Sequence, residues 1–295
     1  DYIVGNEGLN TRYYCPTEKE PVCLDAKDFD NNGTLDCVIS FYNYGKLYPV
    51  KNLQYSAEEM PILAKEFKTY SGFAMSTTQE IYGPKGLDKA YHLTAKTLAS
   101  SYIENQGNGK FVIKPLPLRA QVSSMFGMLA YDVNGDGNLD LVYHGNFYNK
   151  ESETERDDAF IGEVMLGDGH GNFNYLPSRE SGFFSSKDAK ALAMIYVGKN
   201  MTPVMLGTNN NDTMFAYELT TRAEEKISYS QNDRTADIYL KDGRRMHDEL
   251  NFGGGYMSQS SKVVAFVPAL TDKVIITDDK NQQRTVYQST ALAAK

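Results

Sequence analysis

The sequence predicts an all-β fold made of β-propeller blades, with a small helical insertion. Two copies of a nine-residue acidic loop begin at Asp28 and Asp132. An apolar segment rich in β-branched and aromatic residues follows each loop, which is typical of a strand. Two copies of a Gly-x-Gly-x-Phe turn begin at Gly107 and Gly169. The same strand-and-turn unit therefore recurs along the chain, which favours a repeat architecture.

Both acidic loops have the spacing of a calcium site. Oxygen-bearing side chains stand at loop positions 1, 3, 5 and 9, and a glycine at position 6 permits a sharp turn. The first half resembles an EF-hand loop, in which a backbone carbonyl at position 7 also binds the ion. No helix signal flanks either copy, so we expect each loop to join two strands. The predicted ligands of two Ca²⁺ ions are Asp28, Asp30, Asn32, Thr34 (carbonyl) and Asp36 in one loop and Asp132, Asn134, Asp136, Asn138 (carbonyl) and Asp140 in the other.

A metal-free turn is the alternative for each loop, because clusters of Asp, Asn and Gly also form ordinary hairpin turns. Three aspartates in one short loop would repel one another without a cation, which favours the metal site. The ligands are all oxygen, numerous and mostly carboxylate, which favours calcium over magnesium. The histidines and cysteines show no zinc spacing.

The distance between the two loops defines the repeat. The loops begin 104 residues apart, and the 54 residues 46–99 differ in character from their surroundings. Their removal leaves a 50-residue unit, the length of one four-stranded propeller blade. A third copy without metal ligands begins at Asp188. We therefore predict blades over 1–45 and 100–225. Three blades are too few to close a ring, so we expect this chain to be a C-terminal fragment or one piece of a longer chain.

Residues 46–99 are predicted to form the helical insertion in the first blade. Ser56 to Glu59 and Thr77 to Glu80 have the form of capping boxes. The insertion either covers part of the propeller or docks a partner. We expect the strands before and after it to pair as neighbours in one blade. Apolar residues recur at helical spacing at Met60, Leu63, Phe67 and Tyr70, and again at Leu87, Tyr91 and Ala95.

These motifs carry a resemblance to a known family. The two loops and the Gly-x-Gly-x-Phe turns resemble FG-GAP/VCBS repeats, the blades of integrin-α-like propellers. Residues 1–10 and 102–111 are similar to the C-terminal region of long VCBS-repeat proteins of Bacteroidota-type bacteria. Arg244-Arg245 with 252–262 resembles an ASPIC/UnbV segment, although Lys262 stands where an arginine is usual. This resemblance makes 226–295 a C-terminal ASPIC/UnbV-like β segment.

The resemblance implies an extracytoplasmic protein on the bacterial cell surface, associated with the outer membrane as a lipoprotein or secreted. It favours a binding or assembly module that is stabilised by calcium. The expected partners are a protein or a carbohydrate, including the remaining blades or an outer-membrane transporter complex. Two rivals are a lyase-like propeller enzyme acting on polysaccharides and an accessory subunit of an outer-membrane nutrient-uptake complex.

Composition and missing motifs narrow the function further. The net charge of −8 argues against nucleic acid or anionic membranes as partners. No 18-residue apolar run predicts a transmembrane segment. Neither a Gly-x-Ser-x-Gly elbow nor a phosphate loop occurs, which favours a non-enzymatic role.

Cys15 and Cys23 either form a disulfide or remain small buried hydrophobes. A group of aromatic and amide residues follows the second acidic loop. We expect these residues either to line a sugar-binding face or to pack in the core: Tyr143, His144, Asn146, Phe147 and Tyr148.

Overall fold

A computed structural model describes residues 1–14, 16–150, 156–220 and 223–290, and it confirms the all-β class. All paired strands are antiparallel, and they form several separate sheets. The strands are β1 (Tyr2–Val4), β2 (Val22–Lys27), β3 (Asp36–Asn43), β4 (Lys46–Pro49), β5 (Tyr91–Ala95), β6 (Ser101–Asn105), β7 (Phe111–Pro115), β8 (Met125–Tyr131), β9 (Asp140–Gly145), β10 (Glu163–Gly167), β11 (Phe173–Leu176), β12 (Ala189–Val197), β13 (Thr202–Asn209), β14 (Phe215–Glu218), β15 (Glu225–Ser228), β16 (Asp233–Leu240), β17 (Arg245–Glu249), β18 (Val263–Phe266), β19 (Thr271–Asp278) and β20 (Gln283–Gln288).

The helices are short, and most of them lie between β4 and β5. No helix in the described part of the chain has the length and apolar character needed to cross a bilayer. The helices are α1 (Leu53–Glu59), α2 (Ile62–Glu66), α3 (Tyr70–Ala74), α4 (Thr78–Tyr82), α5 (Pro84–Leu87) and α6 (Ser178–Ser181), with a 3-10 helix at Leu118–Gln121.

Sheet I, with the strand order β4-β3-β2-β5, carries the first acidic loop between β2 and β3. Its edge strands β4 and β5 come from the two ends of the segment predicted to be a helical insertion. The predicted helix through Leu87, Tyr91 and Ala95 is therefore wrong at Tyr91 and Ala95, which lie in β5. Tyr91 pairs with Ala26 and Ala95 pairs with Val22. Four-residue spacing also fits alternate positions of a strand, and pairing with β2 decides the conformation.

Sheet II has the strand order β1-β6-β7 and contains the Gly107 turn between β6 and β7. The sequence assigned this turn to the same blade as the first acidic loop, and that assignment was wrong. β6 pairs with the N-terminal strand β1, in the register Tyr2 to Ile103. The strands before and after residues 46–99 are also not neighbours, because β3 lies in sheet I and β6 lies in sheet II.

Sheet III follows the predicted unit in full. Its order is β11-β10-β9-β8, so four consecutive strands form one antiparallel sheet. The second acidic loop joins β8 to β9, and the Gly169 turn joins β10 to β11. Sheet IV, with the order β12-β13-β14, corresponds to the third copy that begins at Asp188.

Sheets II, III and IV stack face to face through two apolar cores. Leu141 and Tyr143 of β9 lie in one core, against which Ile3 of β1 packs. Val142, between them, lies in the other core with Leu192 of β12. Alternate side chains of a strand point to opposite faces, so β9 contributes to both cores. The described sheets do not form a closed ring.

The helices between β4 and β5 cover one face of sheet I. Val38 of β3 is buried with Met60 and Phe73 from the helical segment. The hydroxyl of Thr78 also donates a buried hydrogen bond to Ser40 at 2.9 Å. The segment is thus part of the core beneath sheet I.

Only one of the two predicted capping boxes forms. Thr77 and Glu80 make both reciprocal hydrogen bonds at the start of α4. Ser56 instead lies inside α1, whose N-cap is Asn52. The Asn52 carboxamide oxygen accepts a hydrogen bond from Tyr55 N–H at 3.2 Å. The predicted capping box at Ser56 to Glu59 is therefore wrong, because Asn52 caps the helix one turn earlier.

The C-terminal module, β15 to β20, consists of a two-stranded sheet β15-β18 and a four-stranded sheet β17-β16-β19-β20. Its core contains Ala236, Ile238, Val264, Phe266 and Val274. The module has its own buried apolar cluster, which is consistent with a separate folding unit.

Candidate metal centre

The first acidic loop brings its three aspartates together. Ligand oxygens of Asp28, Asp30 and Asp36 all lie within 4.8 Å of one another. In the described ranges, this is the one group of three or more His, Cys, Asp or Glu residues that meets that distance. The loop joins β2 to β3 as predicted, and hard oxygen ligands at such separations fit a calcium ion.

Backbone hydrogen bonds hold this loop in a tight turn. Asp28 accepts hydrogen bonds from the N–H groups of Asn32 at 3.0 Å and Gly33 at 2.9 Å. Asn31 and Gly33 adopt left-handed φ values of 58° and 89°. Glycine and asparagine take this conformation at the lowest cost, which explains their places in the motif. Thr34 donates to the Asn32 carboxamide oxygen from its N–H at 2.8 Å, and also from its hydroxyl.

Asp36, at loop position 9, has an environment that favours a bound cation. Its side chain is buried and accepts a hydrogen bond from Phe29 N–H at 2.9 Å. Burial raises the pKa of the Asp36 carboxyl, and the charges of Asp30 and Asp28 raise it further, although the Phe29 hydrogen bond opposes them. A cation would remove this penalty by neutralising the clustered charge.

The second loop repeats the hydrogen-bonding pattern on sheet III. Asp132 accepts from Gly135 N–H at 2.6 Å and Gly137 N–H at 3.0 Å. Asp136 accepts from Asn138 N–H at 2.8 Å. Asp140 is buried, and burial raises the pKa of its carboxyl. The loop therefore has the predicted turn, with the predicted residues around it.

The two loops differ in how their ligands are arranged. The three aspartates of the second loop do not reach the mutual distance found in the first. Asn134 instead donates its carboxamide N–H to Asp136 at 2.9 Å. Arg244 of the C-terminal module donates to the side-chain oxygen of Asn138 and to Asp242, the latter at 2.8 Å. A guanidinium thus stands beside the second loop, whereas the first loop has the denser carboxylate cluster.

Of the five residues considered for a sugar-binding face, three are buried and two, Phe147 and Tyr148, are partly exposed. Tyr143, His144 and Asn146 are 0 % exposed, so they belong to the interior. Burial lowers the pKa of His144 to about 4, which keeps its ring neutral at pH 7. Phe147 lies against Lys190, whose ammonium is 4.9 Å from the ring centroid. Core packing therefore accounts for the first three residues.

Sequence reasoning missed a buried polar cluster on sheet III. Arg119 donates to Glu163 at 3.0 Å and to the Tyr175 hydroxyl at 3.2 Å. Glu163 stands directly opposite Tyr143 in the β9–β10 pair. The Oε2 atom of Glu163 and the hydroxyl oxygen of Tyr143 are buried and have no hydrogen-bond partner. The only sequence signal was an acidic residue at a core position of a strand, and both side chains are closed to solvent.

The cysteines of the N-terminal region carry no metal pattern. Cys23 is a free, buried thiol and Cys37 is a free, exposed one. Cys15, the expected partner of Cys23, lies outside the described residues.

No protein-family model matches this chain, and no curated protein matches it either. The fold and loops therefore define its class on their own: an all-β protein whose sheets carry paired acidic loops.

Proposed function

We propose that this chain is a calcium-stabilised module for binding or assembly, built of propeller-type blades and located outside the bacterial cytoplasm. The observation that carries the proposal is the convergence of Asp28, Asp30 and Asp36 oxygens within 4.8 Å. Calcium would occupy both acidic loops and hold their hairpins rigid. This role would fit an extracytoplasmic location, because weak calcium sites fill at the millimolar concentrations found there.

The propeller-type arrangement rests on the stacking of sheets II, III and IV. Each of the two cores between them is formed by inward-facing side chains of successive sheets. Sheet III has the consecutive four-strand order of a propeller blade. The C-terminal module follows as the ASPIC/UnbV-like segment.

An exposed apolar face supports the assembly role. Tyr2, Val4, Phe111 and Ile113 of sheet II are between 44 % and 59 % exposed. Tyr2, Ile103 and Ile113 face one another across the three strands, so these side chains share one face. The opposite face packs on sheet III through Ile3 and Tyr102. An exposed apolar face of this kind fits a protein partner, such as further blades or an outer-membrane complex.

Calcium titration tests the metal assignment. Isothermal titration with CaCl₂ should show two sites, and MgCl₂ should compete weakly. At free calcium about a hundredfold above the dissociation constant, each site should add about 2.7 kcal/mol to the free energy of unfolding. Asp28→Ala should remove one site and Asp132→Ala the other, while the exposed Glu18→Gln serves as the control. Absence of binding heat at millimolar calcium, with an unchanged melting temperature in chelator, would overturn the proposal.

A further inference from the structure

A cavity of about 360 Å³ lies where sheets III and IV meet the C-terminal module. Its volume falls in the range of small-molecule sites. Leu192 and Met194 of β12 form one wall, and Ile238 and Val264 of the C-terminal module form another. All four of these side chains are buried apolar residues. The cavity therefore offers apolar walls next to its polar groups.

Acidic side chains outnumber cations around this cavity, although the Lys226 ammonium lies 3.8 Å from the Glu224 carboxylate. Among its described lining residues, Asp132, Glu224, Asp248 and Glu249 carry carboxylates, and none is Lys or Arg. Three of them already accept hydrogen bonds. Asp132 binds loop N–H groups, Glu224 accepts from the Tyr131 hydroxyl at 2.6 Å, and Glu249 accepts from the Tyr2 hydroxyl at 3.0 Å.

Asp248 differs from the other three acids. No hydrogen bond or ion pair joins its carboxylate to another residue in the described part of the chain. It lies in β17 opposite the buried Ala236, on the same strand face as Met246, which packs on the apolar core. His247, the residue between, lies on the other face and contacts Asp237 at 2.7 Å. Asp248 is therefore an unpaired acid on an apolar strand face.

Asp248 lines the cavity and is itself exposed to solvent. Desolvation by the surrounding protein raises the pKa of its carboxyl, while the charge of His247 opposes this shift. Burial and the Asp248 carboxylate also raise the pKa of Tyr229, another lining residue. An unpaired carboxylate beside apolar walls can pair with a ligand that brings a positive charge and a hydrocarbon part.

We propose that this cavity binds a small amphipathic organic cation, with an ammonium group at the carboxylate of Asp248 and a hydrocarbon part between Met194 and Val264. The aliphatic walls favour a ligand with an alkyl or aryl chain over an inorganic ion. Metal ions would need several free oxygen ligands, whereas the one unpaired acid here is Asp248. The residues proposed to bind the ligand lie outside both acidic loops, although Asp132, Gly137 and Leu139 of the second loop also line the cavity.

Three probes of equal chain length test the proposal. Isothermal titration of the full chain, in constant calcium at pH 7.5, would use n-octylammonium, octan-1-ol and octanoate. We expect n-octylammonium to bind at least tenfold more tightly than octan-1-ol, and octanoate to bind more weakly than octan-1-ol. Equal affinities of the three probes, or no binding of n-octylammonium, would overturn the proposal.

Substitutions then locate the charge. Asp248→Asn keeps the shape of the side chain and should abolish the tenfold preference for n-octylammonium while octan-1-ol binds as before. Glu218→Gln, an exposed residue of β14 away from the cavity, should leave all affinities unchanged. An unaltered preference in Asp248→Asn would refute the role of this carboxylate. The melting temperature of each variant confirms that the fold is intact, and Met194→Trp provides a second variant that should block all probes by filling the cavity.

Discussion

Asp140 ties the second acidic loop to the neighbouring strand β10, because its Oδ1 accepts a hydrogen bond from Gly167 N–H at 2.8 Å. Its Oδ2 accepts a second bond from Val133 N–H at 2.7 Å. Asp36, at the same position of the first loop, accepts the equivalent bond from Phe29 N–H. Position 9 of each loop therefore contributes to the fold as well as to the proposed metal site.

The first prediction concerns this double role. Asp140→Ala should lower the free energy of unfolding in chelator by about 2–3 kcal/mol, because two backbone N–H groups lose a charged acceptor. Asp136→Ala, at an exposed position of the same loop, should cost less than about 1 kcal/mol under the same conditions. Urea denaturation with chelator present measures both values. No loss for Asp140→Ala in chelator would show that Asp140 acts only through calcium.

A second prediction concerns the ion pair between Asp233 and Arg284 in the C-terminal module. Two guanidinium nitrogens lie 2.6 and 2.7 Å from the carboxylate, which is buried. Arg284→Met should lower the free energy of unfolding by about 1.5–3 kcal/mol. The control is Arg234→Met, because Arg234 lies 3.9 Å from Asp279 in a half-exposed pair. That pair should contribute at most about 1 kcal/mol.

A third prediction gives the pH dependence of the same ion pair. Hydrogen bonds from Arg284 lower the pKa of the Asp233 carboxyl, and those from Ser230 lower it further. The folded protein thus binds the proton more weakly than the unfolded chain. The resulting stability is present above the ordinary carboxyl pKa of about 3.9 and is lost as the pH falls towards the lowered value. Denaturation from pH 5 to pH 2 should show a steeper loss in the parent than in Asp233→Asn; parallel curves would contradict this.

A fourth prediction separates the core role of the helical segment from a docking role. Phe73 is 2 % exposed and Met75 is 80 % exposed on the same segment. Phe73→Ala should destabilise the protein by about 3–5 kcal/mol, because it leaves a cavity beneath sheet I. Met75→Ala should leave the melting temperature unchanged. If a partner docks on these helices, Met75→Ala should reduce its binding in a pull-down; a thermal shift for Met75→Ala equal to that for Phe73→Ala would contradict the core assignment.

A fifth prediction concerns the exposed face of sheet II. Replacing Phe111 and Ile113 together by serine should leave the fold intact, because both side chains are about half exposed. The same change should reduce self-association or capture of an assembly partner, since it removes apolar contact area. Sedimentation velocity at several protein concentrations measures the effect. An unchanged association constant would argue against this face as an interface.

The parts of the fold that were predictable depend on local patterns. The acidic loops could be read because each ligand and each left-handed glycine lies within nine residues. Sheet III could be read because its strands pair in chain order. The partner of β6 could not be predicted, because Tyr2 and Ile103 pair across just over a third of the chain, and the alternation of apolar residues does not identify the partner strand. Likewise, the spacing of Tyr91 and Ala95 fits both a helix and a strand, and only the pairing with β2 distinguishes the two conformations.

The cavity beside Asp248 was invisible to sequence reasoning for a related reason. Its walls come from β12 and from several strands of the C-terminal module, which meet only in the folded chain. No short motif encodes such a meeting. An acid on the apolar face of β17 can be recognised as unusual only once the register of that strand is known.

The position of β9 between two cores affects how the molecule opens. Leu141 and Tyr143 pack towards sheet II, while Val142 packs towards sheet IV. If sheet II or sheet IV separates from sheet III, side chains of β9 lose their packing contacts. The three sheets should therefore melt as a cooperative unit. Amide deuterons would then enter β9 last, at a rate set by global unfolding, while sheet I exchanges independently.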